Sequence, residues 1–249
     1  MPEPRFALAS SIVLSNATSC LGFPWHGDSS SSPQFHLNST KKIYTMRDLL
    51  SGVTQFQQET FPVKKSRFQE LARGQSPEAL FITCSDSRVN PELFTNSEPG
   101  EIFVIRNAGN IVGRKGEADL GMAATIEYAV KALKVPQIIV CGHSQCGAMQ
   151  GLMNPEVVSG LPEVGKWVSL SKKALDDRSG NPKGDRLMQL IEANIRLQVR
   201  NLMTFPEVAY AVEAGRLLLH GWLYDFETGR VNVLAPETNQ FVDPHVRIA

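Results

Sequence analysis

The segment LFITCSDSR, Leu80 to Arg88, begins with a β-branched and aromatic run and ends in small polar residues. The segment IIVCGHSQC, Ile138 to Cys146, repeats that pattern further along the chain. Short apolar runs of this kind are typical of buried strands in parallel sheets. Because sites in open α/β sheets form outside the carboxyl ends of the strands, we expect Cys84, His143 and Cys146 to lie together there.

Two thiolates and one imidazole are a donor set for zinc. Three protein ligands leave a fourth position open, as at catalytic rather than structural zinc sites. A strand cysteine such as Cys84 is more often only packed in a core, and the spacing His143-x-x-Cys146 is also weak by itself. Their joint occurrence after two apolar strands favours a metal site.

Four motifs extend this pattern: Cys84-x-Asp86-x-Arg88, Arg106-Asn107-Ala108-Gly109-Asn110, Glu127-Tyr128-Ala129 and Gly142-His143-x-x-Cys146-Gly147. In order and spacing they resemble the motifs of the β-class carbonic anhydrases, and the resemblance covers about residues 44–234. It implies one Zn2+ per subunit and the reversible hydration of CO2 to bicarbonate and a proton by a zinc-bound hydroxide. It also implies a homo-oligomer, either a dimer or a dimer of dimers.

The resemblance also implies roles for residues around the metal. Asp86 would accept a hydrogen bond from the bound hydroxide, and Arg88 would hold that carboxylate by a bidentate pair that a lysine could not make. The remaining matches are substrate-binding positions, partly contributed across the dimer. These are two hydrogen-bond donors, the Gln75 amide and the Gly147 N–H, and three lining residues, Phe103, Ala108 and Tyr128. Phe103 and Tyr128 would otherwise be ordinary core residues.

Two other functions remain open at this point. The same site would serve a hydrolase of a linear sulfur analogue, COS or CS2, and a zinc-binding scaffold without catalysis is a further alternative. The branch of the family with a regulatory bicarbonate site carries Trp and Gly where this chain has Phe81 and Thr83. We therefore expect no bicarbonate regulation and an open site in which Asp86 stays on Arg88.

The element pattern predicts an α/β fold: a mostly parallel central sheet flanked by helices, an added C-terminal strand pair and an N-terminal helical arm. Thr45 and Asp48 form a predicted capping box before an apolar helical stripe, Met46, Leu49, Leu50, Val53 and Phe56. Further helices are expected from Lys64 to Gly74, Ala118 to Leu133, Pro162 to Leu175 and Gly184 to Phe205. The strand pair is expected at Leu217 to Phe226 and Arg230 to Leu234, joined across Thr228-Gly229.

Composition bounds the partners and the compartment. The 249 residues carry 25 basic and 25 acidic side chains, so there is no excess positive charge for binding nucleic acid. No apolar run approaches a membrane span. Four cysteines, three of them in or beside predicted strands, favour a reducing compartment such as the cytoplasm. The Ser-rich residues 1–43 are expected to be a disordered tail or an organellar targeting segment, and residues 235–249 a tail or an oligomer contact.

Overall fold

The computed structural model describes residues 45–117, 119–177, 179 and 185–244. The chain divides into two units, residues 1–50 and 51–249. The predicted tail, residues 1–43, lies outside the described residues. In the first unit the predicted capping box is confirmed, because Thr45 N–H donates to Asp48 Oδ2 at 2.7 Å and Asp48 N–H donates to Thr45 Oγ1 at 3.3 Å.

A six-stranded mixed sheet forms the centre of the second unit, and four of its strands match the predicted segments that begin at Leu80, Ile138, Leu217 and Arg230. The bounds are β1 Ala79–Cys84, β2 Ile102–Asn107, β3 Gln137–His143, β4 Leu218–Tyr224, β5 Val231–Ala235 and β6 Gln240–Val242. Their order is β2-β1-β3-β4-β5-β6. The first four are parallel, and β5 and β6 are antiparallel to their neighbours. Cys84 and His143 therefore end adjacent parallel strands at one edge of the sheet.

The helices are α1 Met46–Gln55, α2 Phe61–Leu71, α3 Pro91–Thr95, α4 Leu120–Glu127, α5 Gly147–Met153, α6 Pro162–Ser169, α7 Arg186–Leu202 and α8 Pro206–Glu213. The helix expected over Ala118 to Leu133 is α4 followed by a π-helical segment, Tyr128–Leu133, and three other helices also differ from the prediction. The helix expected from Lys64 begins earlier, since the π-helical turn Phe56–Thr60 runs directly into α2. The helix expected over Pro162 to Leu175 ends at Ser169 and is followed by a 3-10 turn, Lys172–Asp176. The helix α8, which follows α7 after Phe205, was not predicted.

The core is divided between the two faces of the sheet. On β1, Leu80, Ile82 and Cys84 belong to the large cluster that includes α7, whereas Ala79 and Phe81 belong to a smaller cluster on the other face. This alternation is the period of two of a strand buried on both sides. Every residue of β1 is buried, which explains why all of them except Thr83 are apolar.

Helix α7 lies close against β3 and β4 because both strands carry a glycine where the helix crosses. A Cβ at Gly142 would lie 2.8 Å from Ile195 Cδ1, and a Cβ at Gly221 would lie 2.9 Å from Ile195 Cγ2. Those distances are too short for any side chain larger than hydrogen. The two glycines therefore fix how near α7 approaches the end of the sheet at which Cys84 and His143 lie.

The first part of residues 235–249, the segment expected to be a tail or an oligomer contact, belongs to the sheet. Ala235 ends β5, and β6 pairs with β5 in the register Leu234↔Phe241. The turn between them places Asn239 in the left-handed region at φ 58°. Three residues are too few to show a strand period, so the sequence pattern could not reveal β6. Residues 245–249 lie outside the described part of the chain.

No helix among the described residues has the length and apolarity needed to cross a membrane.

Candidate metal centre

Three ligand atoms meet at the carboxyl ends of β1 and β3. One donor atom each from Cys84, His143 and Cys146 lies within 4.8 Å of the other two, and all three residues are buried. Cys84 is the last residue of β1, His143 is the last residue of β3, and Cys146 is the N-cap of α5. The predicted convergence of the three residues is therefore confirmed by the structure.

The orientation of His143 leaves one ring nitrogen free to coordinate. His143 Nδ1 lies 2.8 Å from the carbonyl oxygen of Ser144, which can only accept, so the proton of the neutral imidazole sits on Nδ1. The lone pair is then on Nε2. That atom is buried and has no hydrogen-bond partner among the described residues. A buried nitrogen acceptor that receives no hydrogen bond is costly, unless a metal ion binds its lone pair.

The pKa values of the two thiols are shifted in opposite directions by the hydrogen bond between them. A hydrogen bond from Cys146 lowers the pKa of Cys84 to about 4, against the opposing effect of burial. The same hydrogen bond, together with burial, raises the pKa of Cys146. Cys84 Sγ also has backbone support, because Gly109 N–H donates to it at 3.3 Å. The pair thus already holds one thiolate, and a divalent cation would displace the remaining proton.

Asp86 faces the ligands from the loop after β1 and is held by Arg88. Arg88 Nε donates to Asp86 Oδ1 at 3.0 Å and Nη2 donates to Oδ2 at 2.8 Å, a bidentate pair. These bonds lower the pKa of Asp86 to about 2. Asp86 Oδ2 lies 4.0 Å from His143 Nε2, and Arg88 Nη2 also donates to Gln145 O at 3.3 Å. The carboxylate is therefore ionised at neutral pH and lies beside the ligands.

Arg106 fixes the loop that carries Asp86, a role that the sequence motif did not reveal. Its Nε donates to Cys84 O at 3.1 Å, and its Nη2 donates to Asp86 O at 2.7 Å and to Val89 O at 2.9 Å. One planar guanidinium thus binds three carbonyls of the 84–89 loop, a geometry that suits arginine and not lysine. Arg106 is the first residue of the second motif, so the sequence does draw attention to it. The motif does not indicate which atoms Arg106 contacts.

Phe226 is a second residue that sequence reasoning missed. Its ring lies 4.9 Å from the His143 ring and 4.4 Å from Arg88 Cζ, centroid distances that indicate an aromatic and a cation–π contact. Phe226 N–H donates to Ser144 Oγ at 2.9 Å, which ties the turn after β4 to the turn after β3. No sequence pattern could have paired residues 82 positions apart.

The predicted substrate residues fall into two groups. Ala108 directly follows Asn107, the register partner of Cys84, and Gly147 directly follows Cys146, so both lie at the metal end of the sheet. Phe103 instead pairs with Leu80, four residues before Cys84, which places it about 13 Å from the ligand end at ~3.3 Å per residue. The Tyr128 ring lies 6.0 Å from that of Phe103, and Gln75 precedes β1. The structure therefore does not bring Gln75, Phe103 and Tyr128 to the ligands of their own chain.

The three ligands fit a zinc ion. At a Zn–S distance of ~2.3 Å and a tetrahedral angle, two thiolate sulfurs lie about 3.8 Å apart, inside the 4.8 Å spread of these donor atoms. Soft sulfur donors with one imidazole select zinc over the hard cations that prefer oxygen. His143 Nε2, which has no hydrogen-bond partner within the described part of the chain, carries the lone pair that such an ion requires.

Comparison with known proteins agrees with this chemistry. The family model for carbonic anhydrase matches residues 79–231. A carbonic anhydrase of Pseudomonas aeruginosa is 46% identical over 209 residues, which cover 81% of this chain and 95% of that protein. Among solved structures, the β-carbonic anhydrase CcaA superposes with a TM-score of 0.75 at 42% identity and covers 80% of this chain and 99% of that one. One of the two tetrameric β-carbonic anhydrases of Sordaria macrospora gives a TM-score of 0.61 at 32% identity, with coverage of 76% and 93%.

All the proteins named in this comparison are carbonic anhydrases, so they give no support to a hydrolase of COS or CS2 or to a zinc scaffold without catalysis.

Proposed function

We propose that this chain, which belongs to the β-carbonic anhydrase family, catalyses the reversible hydration of CO2 to bicarbonate and a proton with one zinc ion per subunit. The observation that carries the proposal is the meeting of Cys84, His143 and Cys146, with an ionised carboxylate 4.0 Å from His143 Nε2. When bound, zinc lowers the pKa of a coordinated water to about 7 and so supplies a nucleophile at neutral pH.

Asp86 orients the water that attacks CO2. Because its pKa is lowered to about 2 by the hydrogen bonds from Arg88, the carboxylate has no proton to donate at neutral pH and acts only as an acceptor. It can therefore accept a hydrogen bond from the attacking water and direct a lone pair at the carbon. Arg88 binds both carboxylate oxygens, so Asp86 is held on Arg88 and away from the metal.

The substrate lies on the ligand side of Ala108 and Gly147. Gly147 N–H is a donor for a substrate oxygen at the start of α5, and Ala108 is small enough to leave room for a linear molecule. The Ala108 carbonyl accepts a hydrogen bond from Trp167 Nε1 at 2.7 Å, which fixes the peptide beside the proposed pocket.

Gln75, Phe103 and Tyr128 act in the site of a partner subunit. In its own chain Phe103 lies near the amino end of β2, about 13 Å from the ligand end of the sheet by strand rise, with Tyr128 against it and Gln75 before β1. The residues of the predicted apolar stripe are 41–69% exposed, which supports a homo-oligomer in which they are covered. They are Met46, Leu49, Leu50 and Val53 of α1 and Phe56 of the π-helical turn that follows it. A dimer or a dimer of dimers would bring both ends of the sheet to one site.

The test of the reaction is stopped-flow CO2 hydration with a pH indicator, on the full chain with its zinc content measured. We expect turnover that depends on zinc and is absent from Cys84→Ser. Stoichiometric zinc without turnover above that variant would contradict the proposed reaction and favour a scaffold.

The test of the partner contribution is complementation between Gln75→Ala and Cys84→Ser. Each variant alone, as a homo-oligomer, should have reduced CO2 hydration activity. A mixed dimer would contain one site with intact ligands and an intact Gln75, so random mixing should restore roughly a quarter of the wild-type sites. A mixture no more active than its components would show that Gln75 does not act across the interface.

A further inference from the structure

The buried polar face of α7 is not explained by packing. Asn194, Gln198 and Asn201 are 1%, 0% and 6% exposed, although amide side chains are seldom buried. Their spacing of four and three residues places them on one face of the helix. Burial of three amides is costly unless each has hydrogen-bond partners, so the partners show what the face does.

The partners of Asn194 and Gln198 include the 108–113 loop, which follows β2 and contains the end of the second motif. Gln198 Oε1 accepts from Val112 N–H at 3.0 Å and from Gly113 N–H at 3.2 Å. Asn194 Nδ2 donates to the carbonyl of Gly109 at 2.9 Å. Gln198 Nε2 donates to Asn194 Oδ1 at 2.8 Å and to Ser171 Oγ at 3.1 Å, which fixes the orientation of both amides.

Gly109 connects this network to the metal ligands. Its carbonyl is bound by Asn194, and its N–H donates to Cys84 Sγ at 3.3 Å. Its φ of +80° is in the left-handed region, and a Cβ there would lie 2.9 Å from Ala148 Cβ. Only glycine fits, yet glycine is also the residue with the greatest backbone freedom. The direction of its N–H therefore depends on what holds its carbonyl.

We propose that Asn194 is a positioning residue for the metal centre, which acts through Gly109 to aim a backbone N–H at the sulfur of Cys84. The inference rests on the proposed function only in taking these thiolates to be zinc ligands. An N–H···S bond removes charge from a coordinating thiolate and fixes its direction, as hydrogen bonds to metal ligands generally do. Asn194 thus affects the metal without touching it.

A matched control is available on the same helix face. Asn201 Nδ2 donates to Gln198 Oε1 at 3.1 Å, so Asn201→Leu removes a buried amide from the same network and leaves the Asn194 to Gly109 bond in place. Asn194→Leu removes that bond. If the network only holds α7 in the core, both variants should lower the melting temperature and neither should change the metal selectively.

The experiment compares the two variants by zinc affinity and by the spectrum of the cobalt-substituted protein. Zinc affinity is measured by competition with a chromogenic chelator, and the thiolate-to-cobalt charge-transfer band reports the Cys84 environment. We expect Asn194→Leu to weaken zinc binding by about 10- to 100-fold and to shift the band. We expect Asn201→Leu to stay within ~3-fold of wild type with an unchanged band. Equal affinities and spectra for the two variants would overturn the proposal.

Should Asn194→Leu fail to fold, Asn194→Ser gives the same comparison. The serine side chain is one bond shorter than the asparagine amide, so its hydroxyl does not reach the Gly109 carbonyl. Failure of the Asn194 proposal can be distinguished from failure of the proposed function. A wild-type protein that binds no zinc contradicts the proposed function, whereas a zinc-bound and active wild type with an unaltered serine variant contradicts only the role of Asn194.

Discussion

Replacing Asp86 with alanine separates its effect on stability from its effect on turnover. The variant removes both carboxylate oxygens that accept hydrogen bonds from Arg88, Oδ1 at 3.0 Å from Nε and Oδ2 at 2.8 Å from Nη2. Arg88 keeps its contact with the Phe226 ring at 4.4 Å and its bond to Gln145 O. Since the Arg88 side chain is 53% exposed, the pair should contribute no more than about 1 kcal/mol to the free energy of unfolding. For a chain of this size that corresponds to a fall of about 2–4 °C in the melting temperature.

The difference in the free energy of unfolding between wild type and Asp86→Ala should decrease only as the pH falls. The pKa of Asp86 is lowered to about 2 in the folded protein, below its ordinary value. The pair therefore stabilises the fold at all pH values above the unfolded-state pKa, about 4, and that contribution is lost as pH falls through the folded-state pKa. We expect the difference between wild type and Asp86→Ala, measured by urea unfolding of the metal-free proteins, to be constant around neutrality and to disappear in strong acid.

Turnover should fall far more than stability. Loss of one preorganised hydrogen-bonding group typically costs about 100-fold in kcat, or about 2.7 kcal/mol of barrier. Zinc content should be unchanged, because Asp86 is not among the three residues whose donor atoms converge. The assay is stopped-flow CO2 hydration over a range of pH, with metal analysis of each sample. The ionisation near pH 7 expected for zinc-coordinated water should persist in Asp86→Ala at a lower plateau.

Two results would refute this reasoning. A variant with full zinc and nearly normal turnover would show that Asp86 does not orient the attacking water. A cooperative loss of wild-type activity on the acid side of neutrality, deepened by bicarbonate and absent from Asp86→Ala, would show that Asp86 leaves Arg88 and takes the fourth metal position. In that case Phe81 and Thr83 do not prevent the exchange.

Three further predictions test the metal centre and the oligomer. Cys84→Ser, His143→Ala and Cys146→Ser should each lose zinc and activity together, because three ligands leave none to spare; stoichiometric zinc in any of them would remove that residue from the ligand set. Cys141→Val should keep both, since Cys141 lies in the cluster on the other face of the sheet and burial raises its pKa to about 12; metal loss there would contradict the assignment. Deletion of residues 1–43 should leave zinc and CO2 hydration intact, whereas deletion through Phe61 should disrupt the oligomer by sedimentation and abolish activity. An active monomer without that helix would argue against a shared site.

The strands and ligands were predictable because each has a local signal. The strands β1 and β3 are apolar runs that end in small polar residues, and parallel pairing places those ends together. The break between α6 and the 3-10 turn has no such signal, because its cause is tertiary. Ser171 accepts a hydrogen bond from Gln198 Nε2 in the core, and Ser171 N–H bonds Val168 O at 2.9 Å. A residue held by another helix cannot be recognised from its own neighbours in sequence.

The residues that orient the ligands were harder to predict than the ligands for a physical reason. A metal ligand must be one of a few residue types, so chemistry restricts the choice, whereas the orienting groups here include a glycine N–H, a phenylalanine ring and an asparagine amide. Arg106, Asn194 and Phe226 lie on β2, on α7 and after β4, and they meet the site only once the sheet order is known. An apolar period also predicts that the buried face of a helix is apolar, so Asn194 and Gln198 would be assigned to solvent.

The direction of the parallel strands supports the proposal that one chain is an incomplete catalytic unit. Parallel strands place all their carboxyl ends on one side, so Cys84, His143 and Asp86 gather there without any partner. The same geometry places Phe103, with Tyr128 against it, toward the opposite side, about 13 Å away by strand rise, which is beyond the reach of a side chain. Either these residues have no role with substrate, or a second copy brings its amino end to this carboxyl end. The exposed apolar residues of α1 favour the second explanation, because a chain that functioned alone would have no reason to leave them uncovered.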